Sequence, residues 1–228
     1  MISERRGSLR IAGLIAVALL IPIVALALHP HVGGHAAPHV ILEQMDGLGM
    51  RDRLVHGTLI LMFGALLAGF ANYALHRGLT RLPVLLGMVS FAIGVAGVFA
   101  AGLIDGFLVP EIAVRFAHAA ASAQDAALVT LTACGAAVNV LTTFGFIATA
   151  IAIGAWSFDL VRDPGEPRIS AIVGFISAAI TIVVLISRGS SIKPHALMAI
   201  VCAQGLWYMS VAVLVAREHA TFPANEAV

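Results

Sequence analysis

Long apolar runs, broken by short polar segments, dominate the chain. A helix of about 20 residues, rising ~1.5 Å per residue, is enough to cross a bilayer core. Six runs meet that length: 11–28, 54–75, 82–108, 127–156, 169–187 and 196–216. The third and fourth exceed it and must tilt or extend beyond the hydrocarbon. Transmembrane β-strands would instead alternate in polarity over segments of ~10 residues. These runs are apolar on both faces and rich in Ala, Leu, Ile and Gly. The pattern therefore predicts an all-α fold, a polytopic integral membrane bundle of six transmembrane helices. Residues 1–228 form a single transmembrane domain in this reading.

Composition sharpens the picture. The chain is 60% hydrophobic and 11% charged, with a mean hydropathy of +1.00. Its 13 basic and 12 acidic residues are too few to coat a water-soluble domain. A net charge of +1 gives no footprint for nucleic acid. Two cysteines exclude a disulfide-stapled secreted fold.

With six spans both termini share a side. That side carries Arg5, Arg6, Arg10, Arg77, Arg81, Arg162, Arg168 and Arg217. The other carries Arg51, Arg53, Arg115, Arg188 and Lys193. Eight against five places both termini in the cytoplasm. The basic start and Ala25-Leu26-Ala27 also fit a cleavable signal peptide. The first apolar run of 18 residues is long for one, which favours a retained helix. Small-residue pairs four apart, Gly64 with Ala68, Ala65 with Gly69 and Gly97 with Ala101, predict close helix packing.

Ionisable residues inside a membrane are the default pointers to function. The middle of these spans offers only Asn139, Gln204 and Tyr208, which fit interhelical hydrogen bonds. Asp105 lies near the end of the third span. Asp159, Arg162, Asp163, Glu166 and Arg168 surround Pro164-Gly165 and predict a tight polar turn.

The nine histidines are placed unevenly. His29, His31, His35, His39, His56, His118 and His195 fall at the end opposite the termini; only His76 and His219 do not. The first four are spaced H-x-H-x3-H-x3-H. In an extended segment the H-x-H pair puts both rings on one side, and imidazole suits Zn, Cu, Ni and Fe. Pro38 is expected to open a short helix ended by Gly47, with His39 and Glu43 one turn apart. Asp52 and His56 are one turn apart at the start of the second span, the arrangement of a carboxylate supporting a ligating imidazole. His29, His31, His35, His39 and His56 are thus the candidate ligands for Cu or Zn. Asp52, Asp105, His118 and His195 are weaker candidates. The same histidines also fit a solvated, pH-responsive loop. Cys134 and Cys202 lie ~10 Å inside the same end; a free cysteine is usually a small buried apolar residue. No nucleophile elbow, phosphate loop or dinucleotide fingerprint occurs, so no reaction is implied.

The segments Leu28-His29-Pro30-His31, Leu54-Val55-His56-Gly57 and Asp105-Gly106-Phe107-Leu108-Val109-Pro110 resemble those of a group of small bacterial six-helix membrane proteins without an assigned activity. The resemblance implies a bacterial inner-membrane setting and carries no site with it.

The leading expectation is a periplasm-facing histidine-rich site that binds Cu or Zn for sensing, delivery or chemistry. The alternatives are an accessory or assembly subunit packed against another membrane protein or its own copy, a b-type haem protein using His56 and His118, and a small-solute transporter.

Overall fold

The computed structural model describes residues 2–27, 37–164, 168–187 and 194–217. All of its regular structure there is helical: α1 (Ile2–Ala27), α2 (Pro38–Arg77), α3 (Leu82–Leu103), a π-helical stretch (Ile104–Leu108), α4 (Val109–Phe116), α5 (Ala121–Arg162), α6 (Arg168–Ser187) and α7 (Pro194–Arg217). Among the described residues, five helices are long and apolar enough to cross a membrane, and α1 adds a shorter apolar stretch, Leu9–Ala25. Five to six helices are therefore suited to a bilayer, and the fold is that of a membrane protein.

One expectation fails. The helix from Pro38 does not stop at Gly47. It runs on through Gly49 to Arg77, 40 residues in all. Glycine weakens a helix interior by only about 1 kcal/mol, and packing outweighs that here. Leu42 is fully buried with Ala113, Ala117, Ala127 and Leu131. Gly49 lies under the Pro110 ring, where a Cβ would come within 3.4 Å. α2 does end at a glycine, Gly78, whose φ of 91° reverses the chain toward Arg81.

The helices close a ring in the order α1, α2, α3, α5, α6, α7 and back to α1. In lipid the association of helices rests on close packing rather than on expulsion of water. α3 and α5 approach backbone to backbone. A Cβ on Gly94 would lie 2.8 Å from the Gly145 carbonyl oxygen, and one on Gly97 would lie 3.1 Å from that of Leu141. α1 seats Ile15 on Gly69 of α2 and Leu19 on Gly205 of α7.

Aromatic side chains from four helices fill one half of the ring. Phe70 stacks on Trp156 at 5.2 Å and on Trp207 at 5.4 Å between centroids, and Phe91, Tyr73 and Tyr208 close around them. Next to this cluster Gln204 donates to Thr149 Oγ1 at 2.9 Å, and Tyr208 donates to Gln204 Oε1 at 3.1 Å. Gln204 thus makes the expected interhelical hydrogen bond, across to α5, whereas the Tyr208 bond runs one turn along α7 itself.

Charge is confined to the two ends. No charged residue lies between His56 and Arg77 on α2. Those 21 steps span about 32 Å, close to the ~30 Å hydrocarbon thickness. The ends are called below the histidine end and the arginine end.

Candidate functional site

The histidine end is built around a distortion in the continuous helix from Leu82 to Phe116. Val109 N–H donates to the Ile104 carbonyl, five residues back rather than four. Pro110 explains it: proline has no N–H to donate, and its ring crowds the carbonyl of residue i−4, here Gly106. The turn widens by one residue and carries Asp105 toward α2. Such π turns recur at functional sites.

Gly106 meets the His56 ring directly. A Cβ there would overlap the His56 side chain, with Nδ1 only 2.9 Å away. Only glycine lets the widened turn close over the imidazole. His56 itself is buried. Its Nε2 lies 3.2 Å from Asp105 Oδ2. Its Nδ1 lies 3.0 Å from the Asp52 carbonyl oxygen and 3.1 Å from Asp52 Oδ1. The helix-bound carbonyl fixes the ring, and the Asp52 carboxylate backs it. The Asp105 side chain is 39% exposed, so the line of carboxylate, imidazole and carboxylate opens outward at Asp105.

One turn further out, Glu111 of α4 holds Arg53 of α2 at 3.1 Å and Arg115 at 3.1 Å. Gln124 Nε2 donates to the Ala117 carbonyl at 2.8 Å and fixes the turn from α4 into α5.

Of the candidate ligands, the structure brings together His56, Asp52 and Asp105. It does not bring His39 to them: His39 is exposed on the first turn of α2, about 25 Å from His56 along the same helix. His118, beyond α4, and His195, on the first turn of α7, are both exposed. His29, His31 and His35 lie outside the described residues. Among the described residues, no group of three or more His, Cys, Asp or Glu side chains is arranged to hold a metal ion. Cys134 and Cys202 are free thiols.

A second charged cluster, which the sequence reading missed, lies at the arginine end. Arg77 reaches Asp159 at 2.7 Å and Asp163 at 3.2 Å; Arg81 reaches Asp159 at 2.8 Å. Asp159 is buried, and only 8% of the Arg77 side chain is exposed. The polar turn around Pro164 was expected, but its two aspartates are spent on the loop between α2 and α3. A signal was present: Asp159 sits a turn inside the end of an apolar run, where a lone acid needs a cation.

Comparison with family models, curated proteins and solved structures finds no match. The resemblance to bacterial six-helix proteins gains no support from them.

Proposed function

We propose that this chain is a six-span bacterial inner-membrane protein with both termini in the cytoplasm, whose periplasmic end binds a divalent transition metal, Zn or Cu. One observation carries the metal reading: His56 Nε2 and Asp105 Oδ2 are 3.2 Å apart, with Asp52 behind the far ring nitrogen. Two ligands of a tetrahedral zinc, each ~2.0–2.2 Å from the ion, are about 3.3 Å apart. A carboxylate on the second nitrogen of a ligating imidazole orients the ring and raises its basicity. His56 and Asp105 are two ligands and Asp52 is their support. The remaining ligands are drawn from His29, His31 and His35, which precede α2; His39, about 25 Å along the helix from His56, is too far away to join them. Imidazole and carboxylate together suit Zn(II) or Cu(II) better than Cu(I), which prefers sulfur.

The test is metal content by mass spectrometry on protein purified in mild detergent without nickel resin or chelator. Native protein, reconstituted with Zn or Cu and freed of excess, should hold near-stoichiometric metal. His56→Gln with Asp105→Asn should lose it, and so should a variant with His29→Ala, His31→Ala and His35→Ala. A metal-free native protein, or an undiminished load in the His56/Asp105 variant, would overturn the assignment. His56 would then serve only to pin α2 to the π turn.

A further inference from the structure

The two ends differ in what their arginines do. At the histidine end, Arg53 and Arg115 are both held by Glu111. At the arginine end, Asp159 and Asp163 are taken by Arg77 and Arg81. Four further arginines there, Arg10, Arg162, Arg168 and Arg217, are exposed and pair with no carboxylate among the described residues. Over the whole sequence, with six spans, this end holds eight arginines and six acids.

The four come from neighbouring helices. α5, α6, α7 and α1 follow one another around the ring. Arg162 ends α5, Arg168 starts α6, Arg217 ends α7, and Arg10 lies near the start of α1. Gly174 of α6 meets Ser157 of α5 and Trp207 of α7, which levels the three helices. From that level Arg162 and Arg168 are each about 8–9 Å toward the end, and Arg217 is about 15 Å. The result is an arc of cations around one rim.

The surface above the arc is apolar and exposed: Phe158, Val161, Ile169, Ile172 and Val213. The Arg162 guanidinium lies 4.1 Å from the centre of the Phe158 ring, where the apolar and charged surfaces meet. Cation rim below and apolar wall above match an anionic amphiphile, with its phosphate at the rim and its chains along the wall. A soluble anion would use only the rim.

We propose that this arc binds the phosphate groups of anionic phospholipids in the leaflet it faces. The proposal is independent of any metal at the histidine end. Basic residues at an anionic membrane surface each contribute enough attraction to change lipid affinity about fivefold.

The experiment compares lipid retention and thermal unfolding in nanodiscs of phosphatidylcholine with and without phosphatidylglycerol. The variant carries Arg10→Gln, Arg162→Gln, Arg168→Gln and Arg217→Gln. Native protein should retain phosphatidylglycerol in preference to phosphatidylcholine and unfold at a higher temperature with it present. The fourfold variant should lose both effects while unfolding at the native temperature in phosphatidylcholine alone. If it does not fold, Arg162→Gln with Arg168→Gln should still weaken the preference, by about fivefold per arginine. No preference in the native protein, or the same preference in the variants, would overturn the proposal. Displacement of the lipid by inorganic phosphate at equal concentration would also overturn it, in favour of a soluble anion.

Discussion

At the arginine end two guanidiniums meet two carboxylates; at the histidine end one imidazole lies between two carboxylates. The first cluster is closed: Asp159 is buried, and the Arg77 side chain is covered by α5. Its cations are permanent, because a guanidinium does not deprotonate in proteins. The second cluster opens outward at Asp105, and its ring, unlike a guanidinium, is of a type that can lose its proton. Buried charge near a bilayer is expensive and is kept for structure or for use. The closed cluster ties the loop between α2 and α3 to the end of α5. The open one sets a buried imidazole beside a carboxylate that reaches solvent.

Breaking the closed cluster should have the largest effect. Asp159→Ala leaves Arg77 buried without its main partner, and removing one partner of a buried pair costs about 3–5 kcal/mol. Exchanging both, Arg77→Met with Asp159→Leu, should recover most of that, because a well-packed apolar pair is often neutral in such places. Unfolding in micelles by added denaturant measures both. A loss below about 1 kcal/mol for Asp159→Ala would make the cluster incidental, by the scale of exposed pairs.

Next is the glycine that lets the open cluster form. Gly106→Ala puts a methyl into the His56 side chain. Overpacking of this kind typically costs about 1–3 kcal/mol, and it should also push His56 away from Asp105. Gly135→Ala is the control, since nothing lies within 4 Å of its added methyl. In a helix that exchange should stabilise by about 0.5–1 kcal/mol. Equal effects from the two substitutions would show that the close approach at Gly106 does not matter.

His56→Gln should have a smaller effect on folding than either. It removes a ring hydrogen bond, worth about 0.5–1.5 kcal/mol net, while Asp105 keeps its access to solvent. Metal content should fall much further than stability does. A stability loss as large as that of Asp159→Ala would make the open cluster a second structural lock.

The spans were legible because apolar length is a local property. α6 and α7 depart from the expected ranges by a residue or two, and Gln204 bonds across to α5 as expected, while Tyr208 donates to Gln204 within α7. Asp52 with His56 was legible too, being one turn of one helix. Asp105 was noticed as an isolated acid but not as the partner of His56, because the link passes through the π turn that Pro110 and Gly106 make together. The Arg77–Asp159 pair, 82 residues apart in sequence, depends on the ring order of the helices. Continuity of α2 through Gly47 was hidden for the same reason: Leu42 gains its packing from α4 and α5, not from its own neighbours. The small-residue pairs pointed to Gly69 and Gly97 but missed Gly94 and Gly145, where α3 and α5 come closest.

The smallest expected effect sharpens the contrast between the ends most directly. Glu111 holds Arg53 and Arg115, with side chains 46%, 37% and 70% exposed respectively. Exposed pairs of this kind contribute about 0–1 kcal/mol, so Glu111→Gln should leave the unfolding midpoint nearly unchanged. It nevertheless releases two arginines at the end where the assigned cations are otherwise held. If unpaired arginines are what attracts anionic lipid, this variant should gain a phosphatidylglycerol preference at the histidine end, while its arginine end stays as it was. Lipid retention measured on Glu111→Gln in the background of the fourfold arginine variant isolates that gain. A return of the preference there would show that pairing, and not merely the number of arginines, sets which end of the bundle holds acidic lipid. No return would mean that the apolar wall beside Phe158 and Ile169 is required as well.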